Sequence, residues 1–212
     1  MVHIQHFQFS PFQENTYLLY SDDKTCWIID PGCYFPEEKQ QLKEFIASKK
    51  LNVERLLLTH CHLDHVFGNA FIHKEYGLSP EYHALDEPTM KMAPIAANTY
   101  NIPGFEASPP AKAYLKKGQS LALGNDSFEI RFCPGHAPGH VVFIQHDQKV
   151  IIGGDVIFKE SIGRTDLPGG NHETLIRSIE EQIFTLPDDY TIYSGHGDTT
   201  TVGHEKKYNP FL

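Results

Sequence analysis

The chain has 212 residues, enough for one domain with a substantial core and not so many that a second is required. Its formal net charge of −9 works against the basic surface that nucleic-acid binding needs, which leaves a small molecule as the expected partner. No apolar stretch is long enough to span a bilayer, the opening MVHIQHFQFSPF has no basic n-region or continuous apolar h-region, and Cys26, Cys33, Cys61 and Cys133 form no CxxC pair, so reduced thiols and a cytoplasmic location are the expectation.

Residues 4–9, 16–20 and 26–29 are β-rich and predict an antiparallel meander, with Ser21-Asp22-Asp23-Lys24 as the turn between the last two strands. Asp30-Pro31-Gly32 ends the third strand. Pro36, Glu37 and Glu38 then open a helix whose Leu42, Phe45 and Ile46 share a face, and Lys49 and Lys50 suit its C-terminus.

A buried strand is predicted at 53–58, and directly after it stands Thr59-His60-Cys61-His62-Leu63-Asp64-His65. Imidazole nitrogen and carboxylate oxygen are the ligands that borderline divalent metals accept. His60 and His62, two residues apart just past a strand end, can point the same way toward one ion, whereas Asp64 and His65 on the following turn are displaced and free to serve a second. A histidine-rich surface loop is the plain alternative in a chain with 13 histidines, but such a loop has no reason to follow so hydrophobic a strand.

Further on, residues 69–76 predict a helix, 81–84 a short strand, and Asp86 the cap of a helix running from about Pro88 toward Tyr100. The proline- and glycine-rich stretch 101–110 predicts a loop over the site. Strands follow at 120–123, 128–132, 141–145 and 150–152, the last two joined by His146-Asp147-Gln148. Asn171 can cap a helix over 172–184, with Leu175, Ile176, Ile179 and Ile183 as its buried stripe and Pro187 beyond its end; 191–193 is a last strand. Both halves run strands and then helix, without a residue-level repeat or a linker between them. Packed sheet on sheet, they give an α/β fold, an αββα sandwich of two mixed β-sheets with helices on the outer faces, in a single domain spanning 1–212.

Three later positions each place a candidate ligand at a strand end beside glycine: His136 after Cys133-Pro134-Gly135, Asp155 after Gly153-Gly154, and His196 after Ser194-Gly195. Glycine permits the tight turn and close backbone approach that aim the next side chain at a fixed point. Singly each reads as a turn residue. With the histidine run they predict one site along a sheet edge.

With these seven positions the chain resembles the metallo-β-lactamase superfamily, whose signature of HxHxDH followed by His, Asp and His it matches over nearly its whole length. The resemblance implies a first metal held by His60, His62 and His136 and a second by Asp64, His65 and His196, with Asp155 bridging; zinc is the first choice, iron or manganese the alternatives. Two ions about 3.5–4 Å apart bring a bridging water to a pKa near 7, and the resulting hydroxide is the implied nucleophile, with Asp64 and Asp155 as the catalytic carboxylates. The ions also polarise the attacked carbonyl, so no serine, cysteine or protein oxyanion hole is needed. Cys61 then reads as a packed spacer, His140 as support for the ligands, and Trp27 as core.

The true β-lactamases of the superfamily carry cysteine where Asp155 stands, which disfavours a lactamase and, with it, export. The chain looks most like the glyoxalase II group, thioesterases that hydrolyse S-lactoylglutathione to lactate and glutathione, in its short bacterial type. The likeness rests on Glu14-Asn15-Thr16-Tyr17-Leu18-Leu19, on Cys133-Pro134-Gly135-His136-Ala137-Pro138-Gly139-His140, on Gly163-Arg164-Thr165-Asp166-Leu167-Pro168-Gly169-Gly170, and on Gly195-His196-Gly197 through Glu205 and Asn209-Pro210-Phe211. Arg164 falls where the longer enzymes hold a glutathione carboxylate, a partner that suits a guanidinium fork; a salt bridge to Asp166 within the loop is the alternative. Two departures weaken the expected grip on glutathione. Only a short tail follows His196, without the C-terminal helical domain of the longer enzymes, and Gly197-Asp198 stands where they place a tyrosine. Persulfide dioxygenases resemble the same signature and Gly-Arg-Thr-Asp segment, and in them His60, His136 and Asp155 would hold a single iron. The tail segment 199–205 tilts the reading to the hydrolase.

Overall fold

The structure, a computed structural model, describes residues 1–212. Strands β1 (Val2–Phe9), β2 (Glu14–Ser21) and β3 (Thr25–Ile29) form the predicted antiparallel meander. Three parallel strands extend it in the order β4 (Asn52–Leu57), β5 (Pro80–His83) and β6 (Ala113–Leu115), and helices α1 (Pro36–Lys49), α2 (Asn69–Tyr76) and α3 (Glu87–Thr99) make the crossovers. A parallel neighbour cannot be reached by a tight turn, which is why each of these steps includes a helix.

The second sheet contains β7 (Ser120–Leu123), β8 (Asp126–Phe132), β9 (Val141–Gln145), β10 (Val150–Gly154), β13 (Thr191–Ser194) and β14 (Thr200–Thr201), in the order β14-β13-β10-β9-β8-β7. A small hairpin of β11 (Ile157–Phe158) and β12 (Ser161–Ile162) stands apart.

Side-chain alternation fixes the layers. In β3, Trp27 and Ile29 enter the core between the sheets, while Cys26 and Ile28 pack outward against Leu42 and Ile46 of α1. In β9, Val141 and Phe143 face the same inter-sheet core, while Val142 and Ile144 join Leu175, Ile179 and Ile183 on the outer side. These strands are buried on both faces, so they read in sequence as unbroken apolar runs. The αββα sandwich with mixed sheets and outer helices is the fold, and Trp27 is fully buried in its core.

Several local expectations need correction. The helix predicted over 172–184 is α-helical only as α4 (His172–Ser178), capped by Asn171 as expected, and then widens into a π-helical turn over Ile179–Ile183. At 100° per residue, side chains spaced by four drift about 40° per step around an α-helix. The wider turn takes that drift back and keeps Leu175, Ile179 and Ile183 on one buried face. Asp86 precedes α3 but makes no capping hydrogen bond to its backbone; its carboxylate turns inward instead. The strands β6, β11, β12 and β14 and the helix α5 (Val202–Tyr208) carry too little periodic pattern to be seen in the sequence. No helix is long and apolar enough to cross a membrane.

Candidate metal centre

All seven predicted ligand residues come together where the strand ends of the two sheets meet. The ligand atoms of His60, His62 and His136 lie within 4.8 Å of one another, and so do those of Asp64, His65 and His196. His60 and His62 follow the end of β4, and a 3-10 turn over Leu63–His65 brings Asp64 and His65 beside His196 and Asp155, although the His65 ring stays 4.1 Å from that of His60. Cys61 is buried between them.

Hydrogen bonds fix which imidazole nitrogens face inward. Thr59 Oγ1 donates to Asp30 Oδ2 at 2.6 Å, so it is free to accept from His60 Nδ1, 3.0 Å away. His136 Nδ1 donates to the backbone carbonyl of Arg164 at 2.8 Å. In neutral rings this leaves His60 Nε2 and His136 Nε2 as lone pairs only 3.2 Å apart, with His62 Nδ1 2.8 Å from the latter. A proton is a poor solution here: burial, reinforced by His65 and His140, holds the His60 pKa well below the usual value, and burial with His136 brings His62 to about 3. Inward lone pairs on rings that resist protonation fit a divalent cation with imidazole ligands.

The second group has the opposite electrostatics. His65 Nδ1 points at Asp30 Oδ2 at 3.1 Å, and its buried Nε2 has no hydrogen-bond partner, lying 3.4 Å from Asp155 Oδ1 and 3.8 Å from Asp64 Oδ2. Asp155 Oδ1 is also buried without a partner. Burial opposes charge on His65, yet the close carboxylates of Asp155 and Asp64, with the hydrogen bond to Asp30, outweigh it and hold the pKa well above the usual value. Burial likewise opposes charge on Asp155, but His65, His136 and His196 together keep it ionised to unusually low pH. His196 Nε2 lies 3.2 Å from Asp64 Oδ2 and 3.6 Å from Asp155 Oδ2. Two buried carboxylates that call for positive charge, with imidazoles aimed at them, also fit a divalent cation. Asp155 stands between the groups, its Oδ2 3.5 Å from His136 Nε2 and its Oδ1 toward His65.

Apart from His140, the props of this arrangement escaped the sequence reading. Asp30, taken there only as a strand terminator, accepts from both the Thr59 amide and hydroxyl and faces His65, so one carboxylate orients parts of both groups. Its positive φ of 49° turns it back under the strand ends. Asn15 ties the sheets together: its amide nitrogen donates to the carbonyls of Ser194 and Gly197, on either side of His196. Glu14 is a fully buried carboxylate whose pKa burial raises well above normal; it accepts from Thr16 Oγ1 at 2.8 Å, and its other oxygen lies 3.9 Å from His65 Nδ1. Asp86 accepts from the amides of Cys61 and Gly139, joining the two ligand-bearing loops. His140 Nε2 accepts from the Asp155 amide at 3.0 Å, the supporting place expected of it. The Glu14-Asn15-Thr16 segment and the Asp30-Pro31-Gly32 turn were the available signals.

Two glycines are required by close approach. A Cβ on Gly195 would sit 2.1 Å from Asp155 Oδ1, and one on Gly163 would sit 1.9 Å from the Asp155 carbonyl oxygen.

A cleft of about 610 Å³ opens over the centre. His62, Asp64, His136, Asp155 and His196 lie at its floor, α3 lines it with Met92, Ile95, Ala96, Thr99 and Tyr100, and Phe158, Ile162, Arg164 and Leu167 contribute from the second half. Arg164 lines the cleft, and its Nε and Nη2 both donate to the Asp166 carboxylate at 2.7 Å, so the loop salt bridge exists. The loop 101–110 does not lie over the site: Ile102 and Phe105 pack beside Phe67, and Ser108 meets Asn69.

Residues 9–196 match the family model of the metallo-β-lactamase superfamily. The chain is 41% identical to the hydroxyacylglutathione hydrolase GloC of Haemophilus influenzae over 202 residues, covering 95% of this chain and 93% of that protein. It is similar in structure to TTHA1623 in a di-iron-bound form, with TM-score 0.87 and 33% identity over 98% of this chain and all of the other. It is also similar to the B3 metallo-β-lactamase BLEG-1, with TM-score 0.84 and 33% identity over 99% of both chains.

Proposed function

The chain belongs to the metallo-β-lactamase superfamily, and from that premise we propose that it is a metal-dependent hydrolase of thioesters, cleaving a glutathione thioester such as S-lactoylglutathione. The observation that carries the reading is Asp155, one buried carboxylate whose Oδ2 lies 3.5 Å from His136 Nε2 of the first group and 3.6 Å from His196 Nε2 of the second, with its Oδ1 3.4 Å from His65 Nε2. A carboxylate so placed fits a pair of cations, and since a dioxygenase would also ligate its iron through Asp155, the preference for a hydrolase leans on the identity to a hydroxyacylglutathione hydrolase. The identity to a hydroxyacylglutathione hydrolase supports the substrate class.

Two divalent cations, held by His60, His62 and His136 and by Asp64, His65 and His196 with Asp155 between them, would supply Lewis acidity and a water of lowered pKa. The chain's own residues set direction and charge around that chemistry. Arg164 O and Thr59 Oγ1 fix the rings of His136 and His60, and Asp30 fixes His65. Asp64, at the cleft floor, offers a carboxylate oxygen to the proton released as water adds to the thioester carbonyl. The departing thiolate has a pKa near 8.5, so it needs no strong acid to leave. Arg164 at the lip can turn its guanidinium from Asp166 toward a substrate carboxylate, an exchange of one anion for another.

The test is metal content of the purified protein, with parallel assays on S-lactoylglutathione, on glutathione persulfide under oxygen, and on a β-lactam. Two ions per chain with thioester cleavage is the expected outcome. One iron with oxygen uptake, or ring opening of the lactam without thioester cleavage, would overturn the proposal.

A further inference from the structure

Helix α3 departs from the pattern of a surface helix. Ala93 and Ala97 form its buried stripe, which should leave polar residues on the remaining face. Instead Met92 and Ile95 are 40% and 63% exposed, Tyr100 at its end is 49% exposed, and all three line the cleft. The charged Glu87 and Lys91 pair with each other at the helix start and are not part of the lining. On the other side of the cleft, Phe158, Ile162 and Leu167 add further apolar surface. The cleft thus joins an ionic floor to apolar walls, and Arg164 is the one Lys or Arg side chain among its lining residues.

The two halves of a thioester meet these walls unequally. Glutathione carries two carboxylates and an ammonium group, so this thiol half gains little from the methionine and isoleucine side chains. The acyl half can be apolar. A lactoyl group offers the walls a single methyl.

We propose that the cleft selects thioesters with an extended apolar acyl chain, bound between Met92, Ile95 and Tyr100 of α3 and Phe158, Ile162 and Leu167. This rests on the thioester-hydrolase reading and names its substrate class. Each methylene removed from water contributes a factor of about three to four in binding, and the gain continues until the chain outruns the walls.

The experiment uses the metal-loaded full chain and glutathione thioesters of lactate, butyrate, hexanoate and octanoate. kcat/KM is expected to rise about threefold per methylene, so that octanoyl exceeds butyryl by at least tenfold. The uncleavable thioethers S-octylglutathione and S-methylglutathione supply a reading by calorimetry that is independent of turnover, with at least tenfold tighter binding expected for the octyl compound. Met92→Ser with Ile95→Ser should bring both ratios toward one, and because both side chains are exposed the fold should survive, checked by thermal unfolding. A flat or falling chain-length series, with thioesters still cleaved, overturns this inference alone; cleavage of no thioester overturns the hydrolase reading and this one with it. Ratios unchanged in the double variant overturn the placement against α3. A gain seen only when the alkyl chain is on the thiol side, in S-acetyl alkanethiols, overturns the assignment to the acyl half.

Discussion

Beneath the cleft three of the five imidazoles have their direction set from behind: His60 by Thr59, His65 by Asp30, His136 by the Arg164 carbonyl. Along the wall, Met92 and Ile95 are held by the helix they stand on and are otherwise largely open to water. The floor is buried and polar, where a misplaced group leaves an unpaired charge; the wall is exposed and apolar, where a misplaced group loses only some contact area. Chemistry and preference are thus built from parts with very different tolerance to change. Damage to the floor should be severe and all-or-none, and damage beside the wall should be graded.

The sharpest break should come from Asp155→Ala. It removes the carboxylate between the two ligand groups, and both hydrolysis, by at least a thousandfold, and bound metal should fall together. Full activity in that variant would remove the two-group reading of the floor.

Asp30→Asn tests whether support from behind matters as much as the ligands. The amide cannot accept from Thr59 and from His65 Nδ1 in the same way, so metal affinity, measured by competition with a chelator, should weaken 10- to 100-fold. An unchanged affinity would mean that packing alone holds His65.

Asp86→Ala should separate stability from chemistry. The buried amides of Cys61 and Gly139 lose their acceptor, at about 1–3 kcal/mol each. The midpoint of thermal unfolding should fall by roughly 5–15 °C. A smaller fall would show that the two ligand loops are held by other contacts.

The smallest effect belongs to the lip. Arg164→Ala should raise KM for a glutathione thioester by a few fold and leave a simple thioester nearly unaffected, since the exposed pair with Asp166 contributes little to the fold. Equal changes for both substrates would assign Arg164 to the loop instead.

The ligands could be read because each is local: a dense run after a strand, or a single His or Asp beside glycine at a strand end. Apart from His140, their supports could not, because each acts across a long stretch of chain. Asp30 reaches Thr59 over 29 residues, Asp86 reaches Gly139 over 53, and Asn15 reaches Ser194 over 179. Nothing in the sequence around Asp86 distinguishes a helix cap from a clamp between two loops. The π-helical turn was equally hidden, since an α-helix and a π turn share the same apolar spacing over so short a segment.

The sequence by itself determined the longer elements, the two-sheet architecture and the seven candidate ligands, because period-two and period-3.6 burial and strand-end ligands are properties of neighbours along the chain. Only the tertiary structure decided that Asp30 orients parts of both ligand groups, that Asp86 clamps the two ligand loops, and that α3 turns an apolar face to the cleft. Those are distances between strand ends and helices far apart in sequence, and they exist only once both sheets have closed on their common core.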